Sequence, residues 1–175
     1  CSLGQITWEY PVSLFSKPAP SDDSPMWTVF CSAIDNYGDI GVCWRLARQL
    51  NREHGIAVDL WIDDWQALAR FFSDPSLEAK CRHVEQGVRL CQWQTPWPQN
   101  TELAQRIASS AVVIEAFACD LPQPVIDAMA KSKKPPLWLN LEYLSAESWV
   151  RDCHMLPSIQ SVKDGNGNAV TLQKY

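Results

Sequence analysis

Asp35 and Asp39 stand four residues apart in the run Ile34-Asp35-Asn36-Tyr37-Gly38-Asp39-Ile40-Gly41. This run joins an apolar stretch, 27–34, to an amphipathic one, 41–50. A strand, a glycine-bearing turn and a helix N-terminus therefore meet at one point that carries two carboxylates. Acids so placed can hold a cation or accept a proton, whereas a phosphate site uses backbone N–H groups with no anions beside them. Each acid also has a plain structural role open to it, Asp39 as the N-cap of the helix and Asp35 as a turn former. The capping-box partner is absent, because Val42 stands three residues after Asp39 in place of Glu or Gln.

Two further segments put acids beside aromatic residues just past apolar runs, Glu115-Ala116-Phe117-Ala118-Cys119-Asp120 and Asn140-Leu141-Glu142-Tyr143. If those runs are strands of one parallel sheet, their ends share a rim. A rim of Asp35, Asp39, Glu115 and Glu142, with Tyr37, Phe117 and Tyr143 between them, suits a guanidinium. Carboxylates grip its planar fork bidentately and aromatic faces stack on it. Glu115 and Glu142 fit structural hydrogen bonds to neighbouring loops equally well.

The elements that must position these residues alternate along the chain. Strands are predicted at 27–34, 56–62, 88–93, 111–116 and 136–141, and helices at 40–53, 64–73, 100–108, 122–132 and 145–151. Cys43, Leu46, Ala47 and Leu50 fall at i, i+3, i+4 and i+7, one apolar face of the first helix. Pro122 and Pro124 suit the first turn of the fourth, and Ser145 reads as the N-cap of the fifth. Such alternation predicts a doubly wound parallel α/β sheet with helices on both faces. Its ligand crevice lies beyond the carboxyl ends of the strands. Trp61, Trp93 and Trp138 fall in predicted strands and read as core. After about residue 155 the pattern fails, and 163–168 is a turn cluster. Residues 1–25, with the linker-like run 18–25, read as a disordered extension or a misassigned start.

Composition narrows the partners. With 46% hydrophobic and 20% charged residues among 175, the chain reads as a soluble globular protein. A net charge of -5 without a basic run disfavours nucleic acid and suits a basic protein or a cationic side chain. No apolar stretch approaches the roughly 20 residues of a membrane span. Seven cysteines without a C-x-x-C pair, and three scattered histidines, argue against a metal site and for a reducing, cytoplasmic setting.

Three stretches together carry a specific resemblance. Phe30-Cys31 with Ile34-Asp35-Asn36-Tyr37-Gly38-Asp39-Ile40-Gly41-Val42 and Trp44-Arg45-Leu46-Ala47-Arg48-Gln49-Leu50, then Glu115 to Pro122, then Trp138 to Val150 with Cys153-His154 and Leu156-Pro157-Ser158, resemble the elongation factor P arginine rhamnosyltransferases, the EarP family. The resemblance covers residues 27–158 in order. It implies the amino-terminal, Rossmann-like domain of a GT-B glycosyltransferase, acting with inversion and without a cofactor or required metal. The implied donor is dTDP-β-L-rhamnose and the implied acceptor an arginine of elongation factor P. It further implies Asp39 as general base and Asp35 as a support for the acceptor and for activity. Asn36, Tyr37 and Gly38 complete the acceptor turn, and Glu115, Phe117, Glu142 and Tyr143 continue the acceptor site along the rim. On this reading 26–158 is the acceptor-binding domain and 159–175 leads toward a donor-binding domain outside the chain, which leaves the chain alone with little or no activity. A non-catalytic module for a basic protein surface, or a GT-B enzyme with another acceptor, are the alternatives.

Overall fold

The computed structural model describes residues 26–33, 37–79, 82–93, 97, 101–163 and 167–175. The first half runs β1 (Met26–Cys31), α1 (Tyr37–His54), β2 (Ala57–Ile62), α2 (Trp65–Phe71), a 3-10 turn (Pro75–Ala79), β3 (Arg82–Glu85) and β4 (Val88–Gln92). The second half runs α3 (Thr101–Ala108), β5 (Val112–Ala116), α4 (Gln123–Lys131), β6 (Leu137–Leu141), α5 (Val150–Cys153), β7 (Ser158–Lys163) and β8 (Ala169–Lys174).

All eight strands form one sheet in the order β3-β4-β2-β1-β5-β6-β8-β7. β3 and β7 are antiparallel to their neighbours and the other pairings are parallel. The parallel strands, counted along the chain, lie in the order 3-2-1-4-5-6, the doubly wound dinucleotide-fold arrangement. Strand order reverses beside β1, so the crevice opens where the carboxyl ends of β1 and β5 diverge.

Each face of the sheet is covered. Val29, Leu60, Leu90 and Ile114 pack with Ile40, Cys43, Trp44 and Ala47 of α1 and with Trp65 and Leu68 of α2. Phe30, Trp61, Val113, Trp138 and Leu172 pack on the other face with Ile107 of α3 and Val125, Ala128 and Met129 of α4. Each fully buried large apolar side chain contributes roughly 1.5–3 kcal/mol. Polar ties cross the second face: Arg106 Nη2 donates to Asp59 Oδ1 at 3.0 Å, and the Thr28 and Ser110 hydroxyls meet at 2.6 Å.

Five predicted strands and four predicted helices stand within three residues of their observed bounds. The last part of the chain differs. Residues 145–147 are not helical, and α5 is a single turn. Ser145 caps no helix; its hydroxyl accepts the Glu147 N–H at 3.2 Å. Beyond 155, where no pattern was read, β7 and β8 form a hairpin that joins β6 through the Trp138–Lys174 pair.

Candidate functional site

The site grows from the β1–α1 junction. α1 begins at Tyr37, so Asp39 lies inside its first turn rather than ahead of it as a cap. There the helix dipole favours a negative charge. Asp39 is only 1% exposed, while Tyr37 and Gly38 in the same turn are exposed. Asp35 and Asn36 lie outside the described residues.

Two strand ends reach Asp39 from across the crevice. Leu141 closes β6, and its carbonyl accepts the Phe117 N–H at 2.7 Å, which binds the chain leaving β5 to the chain leaving β6. Phe117, Ala118 and Asp120 all hold positive φ, at 57°, 50° and 50°. Non-glycine residues there are strained by about 1–2 kcal/mol each, and such strain clusters at ligand sites and switches. The turn sets the Phe117 ring, 5% exposed, against Tyr143, with centroids 4.3 Å apart and planes 15° from parallel. The Tyr143 hydroxyl then donates to Asp39 Oδ1 at 2.7 Å. Phe117, Tyr143 and Asp39, read from the sequence as one rim, are one contact chain in the structure.

Glu115 is not part of that rim. It lies on the α3–α4 face, 2% exposed, where Trp138 Nε1 donates to Oε2 at 3.0 Å and Lys174 Nζ lies 3.0 Å from Oε1. Period-two alternation explains the correction: Ile114 and Ala116 face α1, so Glu115 between them faces the other way. Its carboxylate is an interior ion-pair member on the face of the sheet opposite α1. Glu142 is exposed just past β6, and the Asn140 side-chain amide donates to its Oε1.

A residue that sequence reasoning passed over braces the site. Asp63, after β2, accepts the Ala33 N–H at 2.8 Å, its neighbour Asp64 N–H at 2.7 Å and the Ser32 hydroxyl. It therefore ties down the chain as it leaves β1. Asp64 caps α2 by accepting the Ala67 N–H at 2.8 Å. The paired acids Asp63-Asp64 at a strand end were the available signal.

Buried thiols lie near Asp39 and elsewhere in the core. Cys31 and Cys43 are both fully buried. The Cys31 thiol is pushed well up by its hydrogen bond with the Cys43 thiol, then by burial and the Asp39 charge. Burial, followed by the Glu115 charge, pushes Cys119 up to about 12. The Cys31 and Cys119 thiols therefore remain protonated at neutral pH and act as small apolar groups. Among the described residues no group of three or more His, Cys, Asp or Glu is placed to hold a metal ion. Nor is any described helix long and apolar enough to cross a membrane.

This geometry, a buried carboxylate in a helix's first turn beside aromatic rings at the switch point of a doubly wound sheet, fits cation recognition and proton acceptance. A family model described as Elongation-Factor P (EF-P) rhamnosyltransferase EarP matches residues 27–171. The chain belongs to the EarP family. Among curated EarP relatives, a protein-arginine rhamnosyltransferase of Pseudomonas aeruginosa is 53% identical over 137 residues, covering 77% of this chain and 34% of that protein. The enzyme of the same name from Shewanella oneidensis is 45% identical over 147 residues, covering 80% of this chain and 35% of its own length. One from Neisseria meningitidis is 45% identical over 132 residues, covering 75% and 32%. The chain thus spans about a third of the length of the curated relatives it matches. The match runs from β1 into β8 and takes in every described residue of the Asp39 site.

Proposed function

We propose that this chain is the acceptor-holding part of an inverting glycosyltransferase that moves L-rhamnose from dTDP-β-L-rhamnose to an arginine of elongation factor P. Asp39 is the general base, and Asp35 supports the acceptor. The observation that carries this reading is the buried Asp39 carboxylate in a chain of the EarP family. Donor recognition falls to the part of the relatives outside the matched third. A dTDP-sugar and a translation factor as substrates imply the cytoplasm.

The chemistry has one constraint. A guanidinium keeps its proton in proteins, with a pKa above about 12, so Asp39 cannot deprotonate the arginine beforehand. The proton must leave as the new bond forms. A guanidinium nitrogen attacks the anomeric carbon, the carbon–oxygen bond to dTDP breaks with its electron pair leaving on dTDP, and the N–H proton passes to Asp39. Attack opposite the leaving group inverts the centre. Carboxylates that orient the guanidinium reduce the entropy cost of that alignment. Asp39 is 1% exposed, and Tyr37, Gly38 and Tyr143 around it are exposed.

Calorimetric titration of this chain with unmodified elongation factor P, beside a variant whose acceptor arginine is alanine, tests the reading. Binding that weakens when the arginine is removed supports it. Equal binding of the two proteins favours the second reading, a non-catalytic module for a basic protein surface, which the one-third coverage keeps in view. Asp39→Asn retaining full turnover in a complete enzyme would refute the role of Asp39.

A further inference from the structure

The exposed segment after β6 carries one side chain that turns inward to the site. Tyr143 is 56% exposed as a residue, yet its hydroxyl lies 2.7 Å from Oδ1 of Asp39, which is 1% exposed. Its neighbours Glu142 and Leu144 point outward, and Leu144 is fully exposed. Holding an exposed, rotatable side chain on a buried carboxylate costs conformational entropy, and the stack on Phe117 offsets it. Phe117 is in turn fixed by its left-handed backbone and its bond to Leu141. Three elements are thus recruited to hold one hydroxyl on one carboxylate oxygen.

We propose that Tyr143 is the positioning residue of the Asp39 carboxylate. Its hydroxyl fixes the plane of the carboxylate, and Phe117 fixes the hydroxyl. A base that must take a proton only as a bond forms has to be aimed before the acceptor arrives, and a misplacement of about 1 Å costs on the order of 10²-fold in rate. In this role Tyr143 acts through Asp39, without itself gripping the arginine. The inference rests on the proposed role of Asp39 as base and assigns Tyr143 a task distinct from acceptor contact.

The test is Tyr143→Phe in a full-length enzyme carrying this sequence, with dTDP-β-L-rhamnose and elongation factor P as substrates. Tyr143→Leu, which also removes the stack, is the companion variant. Phenylalanine keeps the Phe117 stack and loses only the hydroxyl. The expected result for Tyr143→Phe is kcat lowered about 10- to 100-fold, the loss of one hydrogen bond to a charged group. The KM for elongation factor P should stay within about twofold, since the acceptor's own contacts are untouched. Tyr143→Leu should lose more kcat than Tyr143→Phe, because aim and stack go together. Unchanged kcat overturns the inference. So does a raised KM with kcat intact, which marks Tyr143 as an acceptor contact, and so does a lowered KM, which marks it as a competitor for the carboxylate. Parallel loss of kcat and thermal stability in Tyr143→Phe overturns it too, in favour of a structural role. Absence of transfer by the wild-type enzyme defeats the proposed function itself, whereas normal wild-type turnover with an indifferent Tyr143→Phe defeats this inference alone.

Discussion

Replacing Lys174 by methionine should destabilise the domain markedly. Glu115 is 2% exposed and meets Trp138 Nε1 at 3.0 Å and Lys174 Nζ at 3.0 Å. At an effective dielectric of about 20, a 3.0 Å ion pair is attractive by roughly 5 kcal/mol before desolvation. Lys174 is 21% exposed and lies over the Trp138 ring at 5.4 Å, so part of that attraction is screened. Removing one member of a buried pair costs about 3–5 kcal/mol, and the partial exposure of Lys174 puts the expected loss at about 2–4. Glu115→Gln should cost less, about 1–2 kcal/mol, because the amide oxygen still accepts from Trp138 and the lysine can turn to water. The double variant should recover at least about 1 kcal/mol of the sum of the two singles. Urea unfolding of the 175-residue chain, followed by tryptophan fluorescence, measures all three. Lys174→Met within about 0.5 kcal/mol of wild type, or strict additivity in the double variant, would refute the assignment of Glu115 to the interior network.

Asp59→Ala strands Arg106 and Arg89, which lie beside the buried carboxylate on α3 and β4. Both arginines are partly exposed, so the expected loss is about 2–3 kcal/mol by denaturant titration. Asp63→Ala removes the acceptor of three donors at the β1 exit. It should cost about 1–2 kcal/mol and weaken acceptor binding by calorimetry, since it frees the chain leading to Asp35. Thiol labelling at pH 8 should modify the exposed Cys153 quickly and leave Cys31, Cys43 and Cys91 untouched until the protein unfolds. Cys119 predicts an alkaline limit. Its folded pKa, about 12, is above the unfolded value of 9.0, so the folded state binds more protons in between. That contribution is intact below pH 9 and is lost as pH rises toward 12, and Cys119→Ala should flatten this part of the pH–stability curve.

The parallel core was legible because its strands are continuous apolar runs and its helices have a single apolar face. What escaped was antiparallel. β3 joins β4 through Gln86-Gly87, whose φ angles of 47° and 84° fit a type I′ hairpin. Gln-Gly is a weaker signal than Asn-Gly, and β3 itself is short and polar. β7 and β8 flank a cluster already read as a turn, and Ser158–Lys163 and Ala169–Lys174 alternate as hairpin strands do. Residues 145–151 carry a serine of the type that caps helices and acids in helical order. The missing element is an apolar face to bury, and Ser145 through Trp149 are all exposed. The contact of Asp39, Phe117 and Tyr143 was legible because strand ends converge. Glu115 was misplaced because proximity to a strand end was allowed to outweigh the alternation along it. Asp63 was missed because the paired acids at the end of β2 were not weighed as a brace for the neighbouring strand's exit.

The bond between Tyr143 and Asp39 spans 104 residues, and that separation matters during synthesis. At about 5–20 residues per second, the partner of the buried carboxylate emerges roughly 5–20 s after the helix that carries it. Strands β1, β2 and β4 lie together in the sheet; β1 precedes the helix, and β2 and β4 are made within that interval. The early half can therefore assemble around an Asp39 whose aromatic cover has not yet been translated. The Asp39–Tyr143 contact is completed after the scaffold, and any nascent chain stopped short of residue 143 lacks it.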